Sequence, residues 1–271
     1  MPQSKSDFLT IIALAAFSAI LATALHEHGG HALACAAQGG KLLELGAFYV
    51  DCQYESVTSL GYRIVAFAGP FASFVAGVVA MFFFNRATRT NSQLKFFLWH
   101  FATVNLMIAT GYFMFSGIIG IGDFGLDPYG VFYQAQPEWL VRVGLTVIGM
   151  AAYFGVVFYS MRKMDSFIGG EGQERVNRAQ MLSLLSWISG GVAAVLIGFL
   201  NPHGIIIVLI SSVASCVGGT SGLAWMMQML NRKKVTGDAP FVLERSWAWI
   251  GASALSLVMY AVILGPTIFF N

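Results

Sequence analysis

Three histidines and a glutamate lie within six consecutive residues of this sequence, in the stretch L25-H-E-H-G-G-H-A-L-A34. Imidazole nitrogens and carboxylate oxygens are ligands that zinc prefers in proteins. The stretch ends a long apolar run, and ionisable groups in such a run are costly and tend to mark a functional site. The sequence therefore predicts a metal site formed from His26, His28 and His31, with Glu27 beside them.

The spacing of these residues differs from the zinc motif H-E-x-x-H, in which two histidines four positions apart flank a glutamate base. Here Gly30 stands four positions after His26, and His31 follows one position later. A π-bulge at the paired glycines would bring His26 and His31 onto one face of the helix. In a regular helix, His28 and His31 would bind instead, at the i, i+3 spacing found in metal sites of helix bundles, and Glu27 would be either a base or a third ligand. His31 belongs to both arrangements.

The composition places this chemistry inside a membrane protein. Of the 271 residues, 57% are hydrophobic and 10% are charged, whereas soluble domains carry about 25% charged residues. Seven apolar runs are long enough to span a bilayer, at residues 8–34, 61–84, 95–121, 138–161, 181–200, 204–229 and 246–269. We expect an all-α polytopic membrane protein with about seven transmembrane helices and a short β-hairpin or membrane-edge segment at 41–60. The net charge of +2 does not indicate a nucleic-acid partner.

The positions of the Lys and Arg residues predict the orientation in the bilayer. Most of them lie in three alternate connections, at residues 86–95, 162–178 and 232–234. By the positive-inside rule, these connections and the N-terminus are cytoplasmic, and the C-terminus is outside. The histidine cluster then lies toward the outer face, where Cys35 and Cys52 could form a disulfide bridge. The first apolar run is expected to remain as a span, because no A-x-A-like signal-peptidase site ends it.

The stretches at residues 30–40 and 66–77 resemble segments of the site-2 protease type of intramembrane zinc metalloproteases. G30-H-A-L-A-C-A-A-Q-G-G40 is similar to the end of that family's zinc helix, where H-E-x-G-H-A precedes a turn of small residues. A66-F-A-G-P-F-A-S-F-V-A-G77 is similar to the family's A-G-P-x-x-N segment, with Ser73 at the usual asparagine position. With G-H-A aligned, the family's histidine falls on Glu27 and its glutamate on His28. The resemblance covers roughly residues 1–125.

The resemblance also implies a third metal ligand, an aspartate that the family carries in an N-x-x-P-x-x-x-L-D-G setting. Its best counterpart is Asp123 in S116-G-I-I-G-I-G-D-F-G125, with Asn105 earlier on the same predicted helix. The predicted topology places Asp123 at a depth similar to that of the histidines, which favours a shared site. The alternative role is an aspartate that caps the helix end or meets solvent.

Together, these residues and the resemblance imply an intramembrane zinc metalloprotease that acts on a membrane-protein or peptide substrate. Zinc held by His31, by His26 or His28, and by Asp123 would activate a water molecule, and Glu27 would accept its proton. The rival function is a non-proteolytic membrane metalloprotein, with zinc, iron or copper serving redox chemistry or the assembly of a larger membrane complex. An extra histidine ligand would favour it by closing the open coordination position that hydrolysis needs. We expect residues 1–130 to form the metalloprotease-like core and residues 131–271 to add helices to the same membrane domain.

Overall fold

The computed structural model describes residues 6–53, 59–230 and 238–270, so the predicted cytoplasmic segment 232–234 lies outside the described residues. Within this part of the chain, seven helices are long and apolar enough to cross a membrane. They cover Phe8–Ala37, Leu60–Arg86, Ser92–Ile119, Glu138–Phe167, Gly172–Gly198, Val208–Met229 and Trp247–Leu264. The prediction of an all-α polytopic membrane protein with seven spans is confirmed.

The first span combines three helical segments. An α-helix, α1 (Phe8–His26), continues without a break into a π-helical turn (Glu27–Ala32) and a short α-helix, α2 (Leu33–Ala37). The span begins at Asp7, whose carboxylate accepts a hydrogen bond from the backbone N–H of Thr10 at 2.9 Å. This is the arrangement by which Asp satisfies a free N–H at a helix start. The three histidines and Glu27 therefore lie within a continuous span, near its C-terminal end.

The next three spans are α3 (Ser59–Arg86), α4 (Ser92–Ile119) and α5 (Glu138–Phe167). The helix α4 lies at the centre of the bundle and packs against α1, α3 and α5. Its large side chains Trp99 and Met107 are fully buried in the main apolar core. It ends at Gly120, which has a φ of 93°, a left-handed conformation that glycine adopts without a steric penalty. The chain therefore turns back at this point, immediately before Asp123.

The last three spans complete the same bundle. The fifth span is α6 (Gly172–Gly198). The sixth span combines α7 (Ile205–Ile207), a π-helical segment (Val208–Gly218), α8 (Gly222–Trp225) and a 3₁₀ turn (Met226–Met229). The seventh span is α9 (Trp247–Leu264). Both α6 and α9 pack against α1. The first span is thus enclosed by helices from both halves of the chain.

A small antiparallel sheet lies beside the end of the first span. Its strands are β1 (Lys41–Leu45), β2 (Val50–Gln53) and β3 (Ile268–Phe269), in the order β2-β1-β3. The predicted hairpin at 41–60 is present over the described residues 41–53. No sequence pattern predicted β3, which has two residues. A disulfide between Cys35 and Cys52 joins the end of the first span to β2.

Candidate metal centre

The π-helical turn determines which histidines share a face of the first span. A π-helical insertion adds one residue to the repeat, so residues five positions apart become neighbours. The Nε2 atoms of His26 and His31 are 3.2 Å apart, with their rings in an edge-to-face arrangement. Of the two arrangements that the sequence left open, the structure adopts the one with the bulge.

Two glycines allow the π-helical turn and α3 to approach closely. A Cβ atom at Gly30 would lie 2.6 Å from the Cα of Gly69 and 2.7 Å from the carbonyl oxygen of Ala68. On the other helix, a Cβ at Gly69 would collide with the Nε2 of His31 and would lie 2.8 Å from that of His26. Gly30 of the first stretch and Gly69 of the A-G-P stretch of α3 therefore meet beside the two imidazole rings.

Asp123 completes a group of three side chains that can hold a metal ion. Its Oδ2 lies 3.1 Å from the Nε2 of His26, and its Oδ1 lies 3.5 Å from the Nε2 of His31. The three ligand atoms all lie within 4.8 Å of one another. Ligands placed about 2.0–2.1 Å from a tetrahedral zinc ion are separated by about 3.3 Å. The spacing of these atoms therefore fits a zinc ion, and the donor set also suits iron or copper.

Hydrogen bonds on the far side of each imidazole fix the ring orientation. The Nδ1 of His31 donates to the carbonyl oxygen of Val65 at 2.7 Å, so its proton lies on Nδ1 and Nε2 is free to bind a metal. The Nδ1 of His26 lies 3.1 Å from the hydroxyl of Ser73, which is fully buried. The ring of Tyr112 stacks on that of His26, with centroids 4.9 Å apart. Both metal-facing nitrogens are thus held by their surroundings.

We expect Ser73→Ala to weaken metal binding by about 10–100-fold, because partners of this kind orient a histidine ligand and fix its tautomer. The measurement is a titration of the metal-free protein with zinc against a competing chelator. Ser253→Ala is the matched control, since Ser253 is also buried but its hydroxyl has no hydrogen-bond partner among the described residues. Equal zinc affinity in the two variants would contradict the role assigned to Ser73.

The loop after α4 holds the third ligand in place. Gly122, like Gly120, has a positive φ, of 90°, and the backbone N–H of Phe124 donates to the hydroxyl of Ser116 at 3.2 Å. Burial alone would raise the pKa of Asp123, but the neighbouring His31 and His26 hold it well below its usual range. The carboxylate is therefore ionised, as a metal ligand must be.

The other predicted site residues take different positions. His28 points away from the group, and its Nε2 lies 2.9 Å from the carbonyl oxygen of Gly46, at the hairpin. Glu27 is 7% exposed and lines the same cavity as His31 and Asp123. Asn105 donates within α4, to the carbonyl oxygen of Phe101 at 2.8 Å.

A cavity of about 790 Å³ opens beside His31 and Asp123. Its lining also includes Glu44, which accepts hydrogen bonds from the hydroxyl of Tyr49 at 2.6 Å and from the Nε2 of His203 at 2.7 Å. These two bonds hold the pKa of Glu44 below its usual range. The sequence predicted none of Glu44, His203 and Tyr112 as residues of the site. No local motif marks these residues, because the cavity is formed by distant elements.

No family model matches this chain, and it matches neither a curated protein nor a solved structure.

Proposed function

We propose that this protein is a membrane-embedded zinc hydrolase that cleaves a peptide segment within the bilayer, as site-2 protease type enzymes do. The observation that carries the proposal is a group of three side chains that can hold a metal ion, His26, His31 and Asp123. Two of them, His31 and Asp123, line a cavity of about 790 Å³, which Glu27 also lines. Catalytic zinc sites have three protein ligands and an open fourth position, whereas structural zinc sites have four ligands.

The residues beside this cavity would have separate roles in hydrolysis. Zinc, when bound, would supply the Lewis acidity that makes a water molecule nucleophilic near neutral pH. Glu27 would accept the proton of the attacking water and deliver it to the leaving nitrogen. The hydrogen bonds of His31 to Val65 and of His26 to Ser73 keep the ligand geometry constant through these steps.

The position of His28 bears on the rival function, a non-proteolytic metalloprotein binding zinc, iron or copper within a larger membrane complex. That function was favoured by a histidine that would close the fourth coordination position. In the structure, the Nε2 of His28 is instead hydrogen-bonded to the carbonyl oxygen of Gly46. The fourth position therefore has no histidine from this stretch, which supports the hydrolytic proposal.

The test of the proposal uses the purified protein reconstituted in liposomes with a fluorescent single-span peptide that has a Gly-Ala-Gly sequence in its outer half. We expect about one zinc per chain and cleavage of the peptide into two fragments. A zinc chelator should abolish cleavage, and added zinc, but not magnesium, should restore it. Cleavage that survives complete zinc removal, or a redox-active iron or copper ion in the native protein, would contradict the proposal.

We further infer that the metal centre opens toward the outer, oxidising side of the membrane and that the N-terminus is cytoplasmic. The disulfide between Cys35 and Cys52 joins the first span to β2, and Asp51 and Cys52 of that strand line the metal-site cavity. Disulfides persist in oxidising compartments and are rare in the cytosol. This agrees with the orientation that the positive-inside rule predicts.

The disulfide, expected on the outer side, predicts how many thiols can be alkylated in protein taken directly from membranes. The chain has three cysteines, and the disulfide leaves Cys216 as the free one. We expect alkylation of the denatured protein to modify one thiol before reduction and three thiols after it, as counted by mass spectrometry. A C-terminal tag should be cleaved by protease added from the outer side. Three thiols before reduction, together with a protected tag, would show the opposite orientation.

A further inference from the structure

A second cavity lies between α4 and the π-helical segment of the sixth span. Its volume is about 300 Å³. Apolar side chains of α4, among them Met114 and Ile118, form one wall, and small residues such as Ala214 and Gly218 form the other. Ile118 is 53% exposed and belongs to a membrane-spanning helix. The cavity is therefore a groove on the surface that faces the lipid hydrocarbon.

This groove shares part of its wall with the metal-site cavity. Tyr112, Phe115 and Ser215 line both of them. The hydroxyl groups of Tyr112 and Ser215 are 2.9 Å apart and hydrogen-bonded, and the ring of Tyr112 stacks on the metal-facing His26. A molecule lying along the groove would thus have its inner end beside the metal centre.

The size and depth of the groove indicate its occupant. Since a water-sized group takes up about 30 Å³, this volume holds roughly ten methylene-sized groups. Both walls belong to membrane spans, so the occupant comes from the hydrocarbon layer. A single unbranched acyl chain meets these conditions.

We propose that the groove between α4 and the sixth span binds a linear acyl chain of the substrate, so that the substrate of the metal centre is an acylated membrane peptide. This inference rests on the proposed hydrolytic function and names its substrate class. The chain runs from the lipid-facing end at Ile118 and Gly218 to Tyr112. The bond to be cleaved, next to the acyl group, then lies in the metal-site cavity that Glu27 lines.

The groove provides selectivity mainly through shape. An acyl chain that leaves lipid for the groove gains little from the hydrophobic effect, because both surroundings are apolar. Packing against the α4 side chains and the small residues opposite supplies the preference. We therefore expect a decanoyl peptide to have a KM about fivefold lower than its acetyl counterpart in the same liposomes.

The experiment uses an N-decanoyl peptide with a photoreactive diazirine at the end of the chain, added to the full-length protein in lipid nanodiscs. We expect cross-links to residues 114–119 and 214–219, mapped by mass spectrometry. Unlabelled N-decanoyl peptide should compete for them, and the N-acetyl peptide should not. Labelling that spreads over all lipid-facing helices without competition would overturn the inference.

Substitutions at two glycines provide a matched comparison. A Cβ at Gly218 would have its nearest neighbour, the carbonyl oxygen of Val213, at 3.7 Å, so Gly218→Leu fills the groove without a backbone clash. Gly251 on α9 has no atom within 4 Å of such a Cβ. Gly218→Leu should reduce labelling at least about fivefold, while Gly251→Leu leaves it unchanged. Ala214→Leu is a second groove-filling variant, in case Gly218→Leu does not fold. Unchanged labelling in both variants would overturn the inference.

The labelling separates this inference from the proposed function. In Glu27→Gln and His31→Ala proteins, competed labelling of the groove would support the inference even if no peptide is cleaved. Conversely, cleavage of the acetyl and decanoyl peptides with equal KM and without groove labelling would overturn the inference while the hydrolytic function stands.

Discussion

His31→Ala should abolish metal binding, whereas His28→Ala should leave it intact. The Nε2 of His31 faces Asp123 at 3.5 Å and the Nε2 of His26 at 3.2 Å, so its removal leaves two ligands. His28 is bonded to the backbone of Gly46, on the other side of the helix. The measurement is metal content by mass spectrometry on detergent-purified proteins, with about one zinc per chain in the wild type and in His28→Ala.

The comparison controls for general damage to the helix, because the two histidines lie three positions apart on the same turn. His28→Ala removes a hydrogen bond worth about 1 kcal/mol, so its thermal stability should fall modestly while its metal content does not. Asp123→Asn should lose metal as His31→Ala does. Metal loss in His28→Ala as well as in His31→Ala, with retention in His26→Ala, would instead favour the regular-helix arrangement that the sequence left open.

The sequence was sufficient to predict the seven spans, because the bilayer imposes a simple requirement of about 20 consecutive apolar residues on each. It was also sufficient to find the histidine cluster, since ionisable residues stand out in an apolar run. It could not decide between His26 and His28. That choice depends on the π-helical turn, which forms where Gly30 packs against Gly69 of another span. Local spacing does not contain such a contact.

Asp123 shows that a predicted topology can help to locate a ligand that no local sequence motif identifies. The prediction that it lies at the depth of the histidines came from counting spans and cationic connections, and the structure places its carboxylate within 3.5 Å of both imidazole nitrogens. The direction of the side chain depends on the two left-handed glycines, Gly120 and Gly122. By contrast, Tyr112 and Ser215 have no partner nearby in sequence, and their contact requires the packing of two spans. The relation to site-2 protease type enzymes stays a prediction.

Glu27→Gln should reduce peptide cleavage by at least about 10²–10⁴-fold, the usual contribution of a general base, and should leave zinc content unchanged. Glutamine has nearly the same shape as glutamate but cannot accept the proton of the attacking water. Glu27 is buried and lines the cavity beside the metal group without belonging to that group. The measurements are cleavage of the liposome-bound single-span peptide and zinc content on the same preparation.

Glu44→Gln is the matched control for this prediction, because Glu44 lines the same cavity but is hydrogen-bonded to Tyr49 and His203. A change that acts only through the charge of the cavity should affect both variants alike, whereas loss of the base should affect Glu27→Gln alone. Zinc loss in Glu27→Gln would assign Glu27 as a fourth ligand and close the position that hydrolysis needs. Full activity with bound zinc would show that another group takes the proton.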